Sequence, residues 1–335
     1  MKPLAHLVTV TAISAVLATP AIAERENPET LFFGILSTES SSAQREKWGP
    51  FLEDMEASIG VPVDPFFAAD YAGVIEGMRF DKVDVVWYGN KSAMVAVDRA
   101  GAEIFAQTTE STGDQGYWSV MVTHKDSGLT YEDVMTCDQT LDFGIGDPNS
   151  TSGFLVPSTF IFAQEGVNPN DCFKTVRNAN HETNLISAAT KQVDAAVASS
   201  TGMYSRLKNA NPEMFAELKE IWRSPLIASD PMAWRPELNE DLKAKLLYFF
   251  MTYGRLGTDE EVKAARDKLA LIDMGPFIPS SNAQLWPFYE MDQIRERMSI
   301  EGDETFSEEE KAEKIDAISA KIEEIQAAAE ARPRK

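Results

Sequence analysis

Short apolar runs alternate with longer amphipathic stretches through most of the chain. Residues 31–36, 61–68 and 83–88 read as strands, and a helical pattern follows each, up to about residue 58, then over 71–79 and 91–99. Asp70 stands where it would cap the second of these helices. Strands alternating with helices give an α/β fold with parallel strands. The pattern changes at 103–109 and 117–123, two strand-like runs with no helix between them, and the second reads as a crossing into another lobe. Alternation then resumes, with strands at 141–146, 173–176 and 193–197 and helices at 131–135, 152–164, 183–190 and 203–218, the last broken near Pro212. Residues 221–234 return as an extended segment through Ser224-Pro225 and Asp230-Pro231, and a helix over 239–253 carries Leu242, Leu246, Leu247, Phe249 and Phe250.

The expected architecture is therefore an α/β fold in two lobes, each a mainly parallel sheet flanked by helices, with two crossover strands as a hinge. Lobe 1 is discontinuous, 24–120 plus 230–302; lobe 2 is 121–229; residues 303–335 form an extra C-terminal helix. Ser307 and Glu310 fit a capping box, and Ile315, Ile318, Ile322 and Ile325, then Ala329, recur at alternating three- and four-residue spacing. Such a seam packs either on its own body or on a second copy, and a dimer contact is the expectation.

Composition adds an export signal. Lys2, an apolar run over 7–17 and the small residues Ala21-Ile22-Ala23 mark residues 1–23 as a signal peptide cleaved after Ala23. The formal net charge of −22 argues against nucleic acid and anionic membrane surfaces as partners. It does not exclude an anionic ligand. A buried site of amides and hydroxyls acts at contact distance, while exposed carboxylates beyond about 8 Å are screened in physiological salt. Cys137 and Cys172 each precede a strand, and a helix joins those strands, so neighbouring parallel strands would bring the two cysteines together in a disulfide. Two cysteines with no nearby histidine cluster do not suggest zinc.

The candidate chemistry sits in Asp147-Pro148-Asn149-Ser150-Thr151-Ser152-Gly153, between a strand and a helix. Alone, Ser150, Thr151 and Ser152 read as a helix cap with polar neighbours. At the rim where strand ends and helix starts converge they become an anion site, because unpaired leading amides and hydroxyls all donate. His181 opens the next helix on the same rim, whereas His124 reads as a surface residue. Tyr71, Trp87-Tyr88 and Tyr117-Trp118 also mark strand ends or crossings, and Asp230 in the return segment offers an acid for a cationic group. Ser150 with His181 invites a hydrolase reading, but there is no Gly-x-Ser-x-Gly elbow. Gly144-Ile145-Gly146 is only a fragment of a dinucleotide fingerprint and no Gly-Lys-Ser/Thr loop occurs, so no cofactor is expected.

Long motifs in order resemble the periplasmic phosphonate-binding proteins of phosphonate ABC transporters. They include Phe33-Gly34-Ile35-Leu36-Ser37-Thr38-Glu39-Ser40, Asp70-Tyr71-Ala72-Gly73, Gly77-Met78-Arg79-Phe80, Trp87-Tyr88-Gly89-Asn90, Gly116-Tyr117-Trp118-Ser119-Val120, residues 146–157, His181-Glu182-Thr183-Asn184 and Asp230-Pro231. The resemblance implies a type II periplasmic binding-protein fold that closes on its ligand, a periplasmic location, an inner-membrane ABC permease as partner, no catalysis, and a homodimer through the C-terminal helix. It implies that Ser150, Thr151 and Ser152 hold the phosphonate oxygens with donors from Tyr71 and His181, and that Tyr117 and Asp230 line the side of an aminoalkyl tail, with 2-aminoethylphosphonate or a related alkylphosphonate as ligand. Two alternatives from other classes are an exported phosphoester or phosphonate hydrolase and a sensory phosphonate-binding module. One departure stands out. The family's second acidic amine partner, a Glu after the strand at 193–197, is missing from Ala198-Ser199-Ser200-Thr201-Gly202-Met203-Tyr204.

Overall fold

The computed structural model describes residues 28–303 and 305–330, so the signal peptide expected at 1–23 lies outside the described residues. Strands β1 (Leu31–Ile35), β2 (Val63–Phe67), β3 (Val85–Trp87) and β4 (Glu103–Glu110) enter one sheet. The chain then crosses through β5 (Gly116–Tyr117) into a second sheet made of β6 (Ser119–His124), β7 (Asp142–Ile145), β8 (Thr175–Asn178), β9 (Ala195–Ser199) and β10 (Leu218–Arg223). It returns through β11 (Ile227–Ala228), and β12 (Pro231–Trp234) and β13 (Met274–Pro279) complete the first sheet. The orders are β13-β4-β12-β3-β1-β2 and β10-β6-β9-β7-β8. We call the units built on these two sheets lobe 1 and lobe 2.

Both sheets are mixed. β1 pairs parallel with β2 and β3, and β7 pairs parallel with β8 and β9. These strands are joined by helices, as parallel neighbours require. The remaining ladders are antiparallel, including β12 with β3 and β4, and β6 with β9 and β10. The two crossings pair with each other, β5 antiparallel to β11, as a separate ribbon between the lobes. Gly116 is needed in it, because a Cβ there would lie 2.4 Å from the Ile227 carbonyl oxygen.

Each lobe has its own apolar core. In lobe 1 Phe33, Phe51, Phe250 and Phe277 are fully buried and pack ring to ring around Trp48 and Phe249. In lobe 2 Phe143 stacks on Phe173 at 4.3 Å, with Phe162 edge-on to both. The Cys137–Cys172 disulfide is formed beside this cluster, at the starts of the paired strands β7 and β8.

Elements beyond the sequence expectation include helix Asp259–Leu271, strand β13, and helix Trp286–Glu301. The last of these gives the C-terminal helix a partner within the chain. Helix Glu308–Glu330 packs on Trp286–Glu301 of the same chain, with Ile318 and Ile325 buried and Gln326 donating to Glu290 at 2.6 Å. Two isoleucines of the seam thus pack within the chain, while Ile315 and Ile322 are half-buried.

Candidate binding site

The lobes are closed on each other. Across the gap, Tyr71 N–H donates to Asp147 at 3.2 Å, Lys91 N–H to the Thr151 hydroxyl at 2.9 Å and Ser40 N–H to Glu182 at 3.1 Å. Between them lies a cavity lined by Tyr71, Trp87, Tyr117, Ser150, Thr151, Ser152, His181 and Asp230, with Glu110, Thr201, Arg206 and Asp273 toward one end. All seven residues singled out for the ligand from the sequence are in this lining.

One end of the cavity is built by helix starts. β7 ends at Ile145, and Gly146 then turns against Gly153, donating to its carbonyl at 2.8 Å. A Cβ on Gly146 would lie 2.5 Å from Gly153 Cα, so only glycine lets the helix begin this close to the strand. Ser150 caps the helix by accepting from Gly153 N–H at 3.0 Å. The first turn, Thr151–Leu155, is π-helical, with Leu155 N–H bonded five residues back to Ser150 at 3.0 Å. That spacing leaves one more leading amide unpaired than an α-turn does. Helices Tyr71–Arg79, Asn90–Ala100 and His181–Ala189 begin around the same point, capped by Asp70, Gly89 and Asn180. Four positive helix ends therefore converge on one place, which favours an anion without any basic side chain.

The side chains there are donors held in the right state. Ser199 N–H donates to His181 Nδ1 at 3.2 Å, which puts the ring hydrogen on Nε2, 3.5 Å from Ser150 Oγ. Burial, with the Arg206 charge adding to it, lowers His181 to about 3, so the ring is a neutral donor at any physiological pH. The Tyr71 phenol lies near Ser150, and burial, then Asp230 and Asp147, hold it far above its usual range and protonated. This arrangement is wrong for a hydrolase. A general-base histidine must accept the serine proton at Nε2 while an acid holds Nδ1–H; here Nδ1 is the acceptor and Nε2 the donor.

The other end is acidic. Tyr117 donates to Asp230 Oδ1 at 2.9 Å, and burial pushes Asp230 up to about 7, with Tyr117 and Arg206 offsetting only part. The buried Trp87 indole N–H has no partner at hydrogen-bonding geometry among the described residues, although it lies near enough to Asp230 to steady its charge. Glu110 ends β4 and accepts from the Thr201 hydroxyl at 2.9 Å; burial pushes it to about 7 as well. Arg206 is committed elsewhere, to Asp273 at 2.8 Å and to Thr38 at 3.0 Å, and Ser205 also donates to Asp273.

Glu110, Thr201, Arg206 and Asp273 are among the lining residues that the sequence does not single out for the ligand. Glu110 carried one signal, its place at a strand end on the cleft rim. Other marked residues are elsewhere. Tyr88 is core, its hydroxyl 3.9 Å from Met78 sulfur; Trp118 stacks under Arg223; and His124 is buried rather than on the surface, 3.2 Å from Glu217.

A family model for the periplasmic substrate-binding protein of phosphonate ABC transporters matches residues 33–285. The chain belongs to this family. It is 46% identical over 310 residues to the phosphonates-binding periplasmic protein of Escherichia coli, covering 92% of this chain and 89% of that one. A binding-protein component of an ABC phosphonate transporter from Pseudomonas aeruginosa superposes with a TM-score of 0.85 at 43% identity, over 90% of this chain and 98% of that chain. A Prochlorococcus marinus protein solved with methylphosphonate shares the fold, with a TM-score of 0.70 at 21% identity over 80% of this chain and 98% of the other. The phosphonate-binding family makes this chain the periplasmic substrate-binding component of an ABC transporter, a binding protein and not an enzyme, working with a membrane permease. The architecture is accordingly that of a type II periplasmic binding protein. Among the described residues no helix is long and apolar enough to cross a membrane.

Proposed function

We propose that the cleft captures a phosphonate with an aminoalkyl tail, best matched by 2-aminoethylphosphonate, and delivers it to the permease after export and cleavage behind Ala23. Ser150, Thr151 and Ser152 with their leading amides hold the phosphonate oxygens, and Tyr71 and His181 Nε2–H donate to them. Tyr117 and Asp230 line the amine end. The lobes meet near residues 120 and 230, where the crossings β5 and β11 give a hinge.

The observation that carries the reading is the polarity of the cavity. The helix starts present neutral hydroxyl, phenol and imidazole donors to the cavity, and its wall also holds a buried carboxylate bonded to Tyr117. A zwitterion with an anionic head and a cationic tail satisfies both ends; inorganic phosphate or a plain alkylphosphonate satisfies one. The test is calorimetry with 2-aminoethylphosphonate, ethylphosphonate, methylphosphonate and phosphate. The amine-bearing ligand is expected to bind tightest, ethylphosphonate about tenfold or more weaker. Folded protein that gives no heat with any phosphonate sinks the proposal.

A further inference from the structure

The segment after β9 carries no acid and reads Ser200-Thr201-Gly202. In the closed structure Thr201 is not empty-handed. Its hydroxyl donates to Glu110 Oε2, 2.9 Å away, from the opposite lobe. Glu110 lies on the cavity wall together with Asp230. The register explains why they are neighbours. β12 pairs with β4 so that Pro231 faces Gln107, and Thr108 N–H donates to the Asp230 carbonyl at 2.8 Å. Side chains alternate along a strand, so Thr108 and Glu110 share a face, and both line the cavity beside Asp230.

We propose that Glu110 is the second carboxylate recognising the ligand's amine, reaching the tail end of the cleft from lobe 1. The charge count at this end supports it. Arg206 pairs with Asp273 at 2.8 Å and only partly offsets the burial of Asp230 and Glu110, neither of which has an ion-pair partner of its own among the described residues. An ammonium between them relieves two buried carboxylates at once, whereas an alkyl tail relieves neither. Burial holds both acids near 7, in keeping with groups waiting for a partner charge.

The inference rests on the phosphonate reading, and one calorimetric series separates the two. Wild type, Glu110→Gln and Thr201→Val are titrated with 2-aminoethylphosphonate and with ethylphosphonate, which differ only in the amine. Gln at 110 still accepts the Thr201 hydroxyl but has no charge. Glu110→Gln is expected to weaken the amine ligand about 10- to 50-fold and to leave ethylphosphonate within about threefold of wild type. Retained ethylphosphonate binding also shows that the variant is folded. Thr201→Val, which keeps the carboxylate, is expected to keep the amine preference. Equal losses for both ligands in Glu110→Gln, or no loss for either, overturn the inference and leave phosphonate capture standing. So does a wild type that binds the two ligands alike. A wild type that binds neither overturns the phosphonate reading itself.

Discussion

Replacing Asp230 with Asn separates what the acidic end of the cleft costs from what it binds. Asp230 accepts the Tyr117 phenol at 2.9 Å, and burial moves its carboxyl from the ordinary 3.8 to about 7. Between those values the folded protein holds a proton that the unfolded chain releases. The carboxyl therefore contributes stability that is fully present below about pH 4 and is lost as pH rises through about 7. At 1.36 kcal/mol per decade over about three decades, the ionised group costs the ligand-free fold on the order of 4 kcal/mol above pH 7. Asn removes that cost. It still offers Tyr117 an oxygen, but the bond becomes neutral and weaker by about 1 kcal/mol. Asp230→Asn is thus expected to be about 1–3 kcal/mol more stable than wild type at pH 8 without ligand, with the gain fading toward pH 5. Urea unfolding at the two pH values reads this directly. Binding moves the other way. Loss of the charged partner weakens 2-aminoethylphosphonate by about 2 kcal/mol, roughly 30-fold, and leaves ethylphosphonate unchanged or tighter. A variant less stable than wild type at pH 8, or one that loses both ligands equally, refutes the reasoning.

In the proposed mode Ser150→Ala removes a donor to a phosphonate oxygen and is expected to weaken every phosphonate about 10- to 100-fold by calorimetry, with about 1 kcal/mol of stability lost from the missing cap; affinities within threefold of wild type count against the assignment. Gly146→Ala puts a methyl 2.5 Å from Gly153 Cα, so the helix start must move away. It should cost about 1–3 kcal/mol in urea unfolding and weaken amine and alkyl phosphonates alike. Reducing Cys137–Cys172, or replacing both with Ser, opens a crosslink of 35 residues' separation and should cost about 2–4 kcal/mol in unfolding while ligand affinities hold, since neither cysteine lines the cavity.

Much of the fold and of the cleft is legible in the sequence where signals are local. The helix Tyr71–Arg79 with Asp70 as its cap is readable to the residue, because a cap followed by periodic apolar positions is a short-range pattern. The hydroxyl run at 150–152 is legible for the same reason. Long-range pairings are not. The bond between Glu110 and Thr201 joins residues 91 apart, and its place at a strand end is the one local signal that separates Glu110 from an exposed turn acid before Ser111-Thr112-Gly113. Strand β13, Met-Gly-Pro-Phe-Ile-Pro, defies strand propensity and is tolerated because it lies at a sheet edge. The isoleucine seam does not discriminate, because a helix packing on its own body and one packing on a second copy share the same periodicity. The helix Asp259–Leu271, by contrast, carries a legible capping box, Thr258 with Glu261.

The division of the cleft suggests how capture and closure are linked. Around the phosphonate end, Tyr71 and the start of helix Asn90–Ala100 come from lobe 1, and Ser150, Thr151, Ser152 and His181 from lobe 2. Without an anion, helix ends of like partial charge from the two lobes face each other there, which opposes closure. An anion placed between them turns that repulsion into attraction from both sides. The amine end differs. Tyr117, Asp230 and Glu110 belong to β5, the residue entering β12, and the end of β4, all on the hinge or lobe 1. In the proposed mode an open protein can test the ligand's tail before lobe 2 arrives, and the phosphonate then favours the closed form. Tail substitutions should therefore change affinity chiefly through the open state, while Ser150→Ala should reduce the extent of closure at saturating ligand. Small-angle scattering with and without 2-aminoethylphosphonate distinguishes the two, and an Asp230→Asn protein that fails to close at saturating ethylphosphonate contradicts this order of events.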